Sequence, residues 1–168
     1  FYLCEIKIIM KKLLLILFIF SFSSFALAKD KWTIISLTYS SGPVSPQYQS
    51  TWTLTIDNER NATYTSKGAG TDTTYSFTVS KSKFNKLVSY INKYKLISAD
   101  PNSMKTDNMK IGGSSNTVIL TVQNADPNTD QPPRKIEFPS QQNEEWTPKM
   151  NNVVKALTNC IPGNNSGK

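Results

Sequence analysis

The sequence predicts an α+β fold in which two amphipathic helices pack on one face of an antiparallel sheet of five to six strands. Several runs alternate apolar and polar residues and are separated by short polar turns, as is typical of antiparallel strands. Two other segments repeat their apolar residues every three to four positions, as is typical of helices that lie on a core.

The region after residue 31 is expected to begin with four strands, each containing β-branched or aromatic residues, at residues 32–39, 48–56, 62–66 and 73–79. The second run alternates most clearly, with Trp52, Leu54 and Ile56 on one face and threonines on the other. Because the connecting segments are short and polar, the four strands are expected to form a meander of neighbours.

A first helix is predicted from the apolar stripe Phe84, Leu87, Val88 and Ile91. Ser80 stands where an N-cap is expected, and the helix is expected to fade near Tyr94. Five lysines lie around the stripe, and we interpret them as a solvated face rather than a nucleic-acid surface: Lys81, Lys83, Lys86, Lys93 and Lys95.

The second half of the chain is expected to add two strands, at residues 116–124 and 135–138, and a closing helix. Thr147 and Pro148 match the N-cap and first position of that helix. Its predicted core face is Met150, Val153, Val154 and Leu157. The long polar segment 98–115 is expected to be either functional or disordered.

Residues 1–28 are typical of a targeting segment and not of a folded element. Met10 and two lysines precede an apolar run, and small residues at Ala26 and Ala28 fit a cleavage site. We predict a cleaved secretory signal preceded by an upstream extension, with translation starting at Met10. A single domain is then expected over residues 29–161, followed by a flexible tail at 162–168, and no transmembrane anchor is expected after cleavage.

Composition excludes several classes of enzyme. The chain has no histidine and two cysteines, of which Cys4 lies in the predicted signal, so histidine-dependent catalysis and common zinc sites are excluded. The remaining Cys160 is expected to be buried, with pairing between chains as the alternative. We expect no catalytic residue, no metal and no cofactor. A carboxylate-dependent hydrolase of the cell envelope stays open, although the acidic pair Glu144 and Glu145 is better placed to favour a helix N-terminus.

Two segments are candidates for binding because recognition loops are commonly carried on a rigid scaffold. The first is a turn between two predicted strands that two prolines restrict, formed by Ser41, Gly42, Pro43, Val44, Ser45 and Pro46. The second is the long segment 98–115, which contains Gly112 and Gly113. We predict that these segments form a site that contacts an unknown protein or envelope component.

The order of elements also resembles a known group. A strand, the turn at Ser41, Gly42 and Pro43, a long strand, a hairpin and a helix are followed by the two glycines, a Val/Ile strand and a proline-started helix. This order resembles small exported bacterial domains and, distantly, the emfourin-type inhibitors of thermolysin-like metalloproteases, over residues 34–157. The resemblance implies protease inhibition as one possible binding function. We therefore expect a monomeric, periplasmic or secreted bacterial binding domain, with an envelope structural protein as a further alternative.

Overall fold

The computed structural model describes residues 32–68, 72–107, 112–123 and 132–163. These residues form a six-stranded antiparallel sheet and two helices, which is the α+β architecture that the sequence predicts. The predicted signal at 1–28 and most of the predicted tail lie outside the described residues.

The strands are β1 (Trp32–Ser40), β2 (Ser50–Asp57), β3 (Asn61–Gly68), β4 (Thr73–Thr78), β5 (Ser115–Val122) and β6 (Arg134–Phe138), and the helices are α1 (Lys81–Lys93) and α2 (Thr147–Thr158). Their order across the sheet is β4-β3-β2-β1-β5-β6, and every neighbouring pair is antiparallel. The first four strands therefore form the predicted meander, and β5 and β6 extend the sheet on the other side of β1.

One face of the sheet holds the core. Ile35 lies opposite Ile56 on one neighbouring strand and opposite Leu120 on the other, and all three side chains are fully buried. Because directly opposite residues point to the same face, this register places the apolar positions of β1, β2 and β5 together. Leu87 of α1 and Leu157 of α2 belong to the same core, and the two helices contact each other.

Burial is uneven across this core face. In the edge strand β6, Ile136 and Phe138 are buried, whereas β4 at the opposite edge has no buried residue and β3 has only Ala62. We call β1, β2, β5 and β6 the covered side of the sheet, and β3 and β4 its open side. The helices and the connecting segments thus pack mainly on the covered side.

Both helices begin close to the predicted positions but differ from the predicted capping. Ser80 occupies the N-cap of α1, yet its side chain makes no capping hydrogen bond. Thr147 is the first residue of α2 and not its cap, which is Trp146. The Thr147 hydroxyl lies within hydrogen-bonding distance of the carbonyl oxygens of Gln142 (3.1 Å) and Asn143 (2.8 Å), so it fastens the preceding turn instead of capping the helix.

The segment after α1 is more ordered than the sequence suggests. Two 3₁₀ turns, Leu96–Ser98 and Pro101–Met104, follow the helix. Leu96 and Met104 are fully buried and anchor these turns to the core. The first part of the polar segment 98–115 is therefore part of the scaffold, and its residues 108–111 lie outside the described range.

Cys160, which follows α2, is buried as expected. Its Sγ donates to the carbonyl oxygen of Ala156 over 3.3 Å. Burial raises the pKa of this thiol to about 11, against a lowering influence from the Lys83 charge. A buried, protonated thiol cannot reach a second chain while the domain stays folded.

Candidate functional site

The two predicted binding segments meet in the structure. Gly42 adopts φ of +79°, and a Cβ atom at this position would lie 2.0 Å from the carbonyl oxygen of Gly113. Glycine is therefore required at 42 both by the left-handed backbone and by the close approach of the second segment. The prediction named both segments but not their contact, because it depends on Ser40 pairing with Ser115 at the end of β1 and β5.

Hydrogen bonds fix the first of these segments, residues 41–46. The N–H of Ser50 donates to Ser41 Oγ (3.0 Å), and Gln49 Nε2 donates to the carbonyl oxygen of Val44 (3.1 Å). A single 3₁₀ turn, Pro46–Tyr48, leads into β2. Residues 41–48 together expose two large hydrophobic side chains, since Val44 is 40% exposed and Tyr48 is 68% exposed. We call residues 41–48 the display loop.

A row of aromatic rings starts at the base of this loop and runs diagonally across the sheet to its β4 edge. It consists of one ring on each of β1, β2 and β3 and two rings on β4, namely Tyr39, Trp52, Tyr64, Tyr75 and Phe77. We call this row the aromatic ladder. It lies on the face that carries the core, because Trp52 alternates in phase with Leu54 and Ile56 on β2.

The rings of the ladder are spaced for mutual attraction. Ring centroids lie 5.5 Å apart for Tyr39 and Trp52, 5.9 Å for Trp52 and Tyr64, and 5.2 Å for Tyr64 and Tyr75. The fifth ring, Phe77, follows at 5.7 Å from Tyr75. These distances fall within the favourable range for aromatic pairs, so each ring restricts the next. Four of the rings are half-buried and Tyr75 is exposed, which leaves a preorganised apolar surface beside the covered core.

Stacking within the ladder determines what the surface offers to a ligand. Tyr39 and Tyr64 are stacked on Trp52 from the strands on either side, at interplanar angles of 15° and 29°. The Trp52 indole is therefore flanked by a ring on each side, which restricts the approach of a planar ligand to its faces. Tyrosine hydroxyls and the indole N–H add hydrogen-bonding groups to this apolar surface.

The ladder and the display loop begin at the same place. Tyr39 and Trp52 are directly opposite in the β1–β2 register, and the loop connects the ends of these two strands. The N–H of Ser41 donates to the carbonyl oxygen of Ser50 over 3.0 Å and closes the base of the loop. We treat the ladder and the display loop together as the candidate site.

The acidic residues do not form a comparable site in the described part of the chain. No group of three or more potential metal-binding side chains occurs there. A cavity of about 290 Å³ beside β6 has Glu137 as its one carboxylate, near Lys105 and Thr117. Glu145 pairs with Lys149 at 2.6 Å, an i,i+4 contact at the start of α2.

Asp57 serves the turn between β2 and β3. Its Oδ1 accepts from the N–H groups of Glu59 (2.9 Å) and Asn61 (2.8 Å). Burial raises the pKa of the Asp57 carboxyl, but hydrogen bonds from Asn61 and Glu59 outweigh it and bring the pKa below its ordinary value. This carboxylate is thus committed to the backbone of a hairpin.

Comparisons with known proteins identify no family for this chain. No protein-family model matches the chain, and no curated protein matches it significantly. Neither α1 nor α2 is long and apolar enough to cross a membrane, and the described residues contain no other helix of that kind. The aromatic ladder and the adjoining display loop therefore remain the candidate binding surface of the described residues.

Proposed function

We propose that this protein is an exported, non-catalytic binding domain that holds a polypeptide partner on the aromatic ladder and display loop. The observation that supports it most strongly is the ladder itself, five rings that each contact the next and that run from β1 and β2 onto the open side of the sheet. Export rests on the signal pattern in residues 1–28, and the location we propose is the periplasm or the extracellular medium.

Physical chemistry favours a binding role for such a surface. Soluble domains rarely leave contiguous apolar side chains exposed without a use. Tyrosine and tryptophan are enriched among the residues that dominate protein interfaces, since they offer large contact areas and lose little conformational freedom. The ladder is already ordered by its own stacking, so a partner meets a surface that needs little further ordering.

The stacking also selects the class of partner. Sugars and nucleobases bind aromatic side chains through the ring face, and Tyr39 and Tyr64 on either side restrict access to the faces of Trp52. A polypeptide can instead pack apolar side chains against ring edges and hydrogen-bond to the tyrosine hydroxyls. The proposal therefore commits to a protein partner from the envelope or its surroundings.

Two matched variants test this proposal. Tyr75→Ser shortens the ladder at its exposed ring, and Tyr90→Ser removes one ring of the separate Tyr90–Tyr94 stack at the C-terminal end of α1. Cross-linking to proteins of envelope and culture fractions is expected to decline strongly for Tyr75→Ser and to persist for Tyr90→Ser. Equal cross-linking by both folded variants and the parent protein would contradict binding through the ladder.

Protease inhibition is a second candidate, and it depends on the display loop. Val44 is exposed between Pro43 and Pro46, and its carbonyl oxygen is held by Gln49. A restricted loop with an exposed apolar side chain can enter a protease subsite at low entropic cost. Assays against metallo- and serine proteases are expected to show inhibition that Val44→Asp abolishes and Tyr75→Ser preserves. A domain that neither inhibits these proteases nor resists their cleavage would eliminate this candidate.

A further inference from the structure

Among the residues that the structure describes, no strand lies beside the outer edge of β4, and the strand itself lacks the features that usually protect an edge. The six residues Thr73–Thr78 contain no charged residue and no proline, and five of them are exposed. Natural sheets commonly protect their edges with charges, prolines or covering segments, because an unpaired edge can pair with another strand. An unprotected edge next to the aromatic ladder therefore calls for an occupant.

The register identifies the backbone groups at this edge. The N–H of Val79 donates to the carbonyl oxygen of Arg60 over 2.9 Å. In an antiparallel pair, hydrogen-bonded positions recur at every second residue, so 77 and 75 also point their backbone groups toward β3. The N–H and C=O groups of Thr74, Ser76 and Thr78 consequently point away from the sheet.

The order of side chains along this edge is symmetric. Residues 74–78 read Thr-Tyr-Ser-Phe-Thr, so threonine and then an aromatic residue lie on each side of Ser76. We infer that the occupant is a second copy of this chain, with β4 pairing antiparallel to β4 about a two-fold axis at Ser76. The two sheets then join into one continuous sheet.

In this pairing, the backbone hydrogen-bonding groups and the aromatic side chains of the two copies are both complementary. The outward backbone groups of Thr74, Ser76 and Thr78 meet those of Thr78, Ser76 and Thr74 of the second copy. Tyr75 then lies opposite Phe77 of the second copy in a pair without backbone hydrogen bonds, where side chains approach most closely. The aromatic ladder of one copy thus continues into that of the other, and each additional aromatic pair stabilises the junction.

Charges near the ends of the strand are complementary in the same arrangement. Asp72 and Lys81 flank β4, and both side chains are exposed. The two-fold axis places Asp72 opposite Ser80 of the second copy and beside its Lys81. No like charges oppose each other along the paired strands, because β4 itself carries no charged residue.

The inference departs from the monomer expected from sequence and goes beyond the proposed function. The dimer uses the outer edge of β4 and the two ladder rings on that strand, Tyr75 and Phe77, and it leaves the display loop and Trp52 accessible. The side chain of Ser76 points to the face opposite the ladder, so a Ser76 variant can lose dimerisation while partner binding through the ladder persists, and either proposal can fail without the other.

Sedimentation of residues 29–168 over a range of concentrations tests the dimer. Ser76→Lys sets two like charges side by side at the axis and is expected to raise the dimer dissociation constant about tenfold or more. The control Ser36→Lys adds the same charge to the same face of the sheet, but on β1, three strands away from the edge. It is expected to leave the dimer dissociation constant unchanged. Equal weakening by both variants would overturn the inference.

A cysteine pair provides an independent readout. At a hydrogen-bonded antiparallel pair the Cα atoms lie about 5.5 Å apart, within reach of a disulfide. Ser76→Cys is therefore expected to form a covalent dimer under mild oxidation faster than Ser36→Cys, with Cys160 protected by burial. A monomer at every concentration, together with equal slow oxidation of both variants, would show that β4 does not self-pair.

Discussion

The two edges of the sheet are built differently. In β6, Ile136 and Phe138 are buried, and prolines stand before and after the strand, at 132, 133 and 139. Its other three residues are charged, and Arg134 Nη2 donates to the carbonyl oxygen of Ile97 over 2.6 Å. By contrast, β4 has no buried residue, no charge and no proline. One edge is fastened to its own domain, whereas the other has none of these features, which is the condition under which an edge can pair with another strand.

The same difference holds for the strands next to each edge. Residues of the covered side mainly stabilise the fold, whereas we propose that residues of the open side serve binding. On the covered side, each fully buried aliphatic or aromatic side chain contributes about 1.5–3 kcal/mol. On the open side, cross-strand pairs contribute about 0.2–1 kcal/mol each. Substitutions on the covered side should therefore unfold the protein, and those on the open side should mainly change what it binds.

The largest effect is expected from Phe138→Ala. Phe138 is fully buried, so its removal leaves a cavity and should lower the free energy of unfolding by about 3–5 kcal/mol. Phe77→Ala on β4 removes the same ring from a half-buried position and should cost less than half as much. Urea denaturation measures both values, and equal losses would refute the division into a covered and an open side.

The pH dependence of the free energy of unfolding should show whether water reaches the Cys160 thiol in the core. Because the pKa of Cys160 is about 11 when folded and 9.0 ordinarily, the folded thiol keeps its proton to higher pH than the unfolded thiol. The resulting stabilisation is complete below pH 9 and is lost as pH rises through 11, by at most about 3 kcal/mol. Denaturation across this range should show a steeper decline for the parent protein than for Cys160→Ala. Parallel curves would mean that the thiol is hydrated.

The contact between the two loops should have an intermediate effect. Gly42→Ala places a Cβ against the backbone of Gly113 at a positive φ, which should cost about 1–3 kcal/mol and displace the display loop. Gly112→Ala is the matched control, because Gly112 also has a positive φ but its Cβ would meet nothing within 4 Å. Thermal unfolding of both variants separates the contact from the backbone strain, and identical losses would show that the loops do not support each other.

Sequence reasoning found the sheet and both helices because hydrophobic period is a local property. It also placed Trp52 on one face of a strand with Leu54 and Ile56, but it did not distinguish the half-buried indole from the two buried side chains. The aromatic ladder escaped prediction because its exposure depends on which strands the helices cover. That coverage follows from the sheet order, which places β3 and β4 farthest from β5 and β6. The contact of Gly42 with Gly113 was missed for a similar reason, since it requires the β1–β5 pairing.

The smallest change in stability is expected when a lysine is added to β4 or removed from β6. These two variants also distinguish the edges most sharply. Thr78→Lys on β4 and Lys135→Thr on β6 both alter exposed side chains, so each should change the free energy of unfolding by no more than about 0.5 kcal/mol. Aggregation should nevertheless respond to only one of them. An unprotected edge templates strand addition, and a lysine there opposes it. Light scattering during mild heating should therefore show slower aggregation for Thr78→Lys, whereas Lys135→Thr should aggregate like the parent protein because the prolines and the Arg134 contact still protect β6. If Lys135→Thr aggregated faster and Thr78→Lys did not change, β6 would be the reactive edge, and the absence of charge on β4 would have no consequence for association.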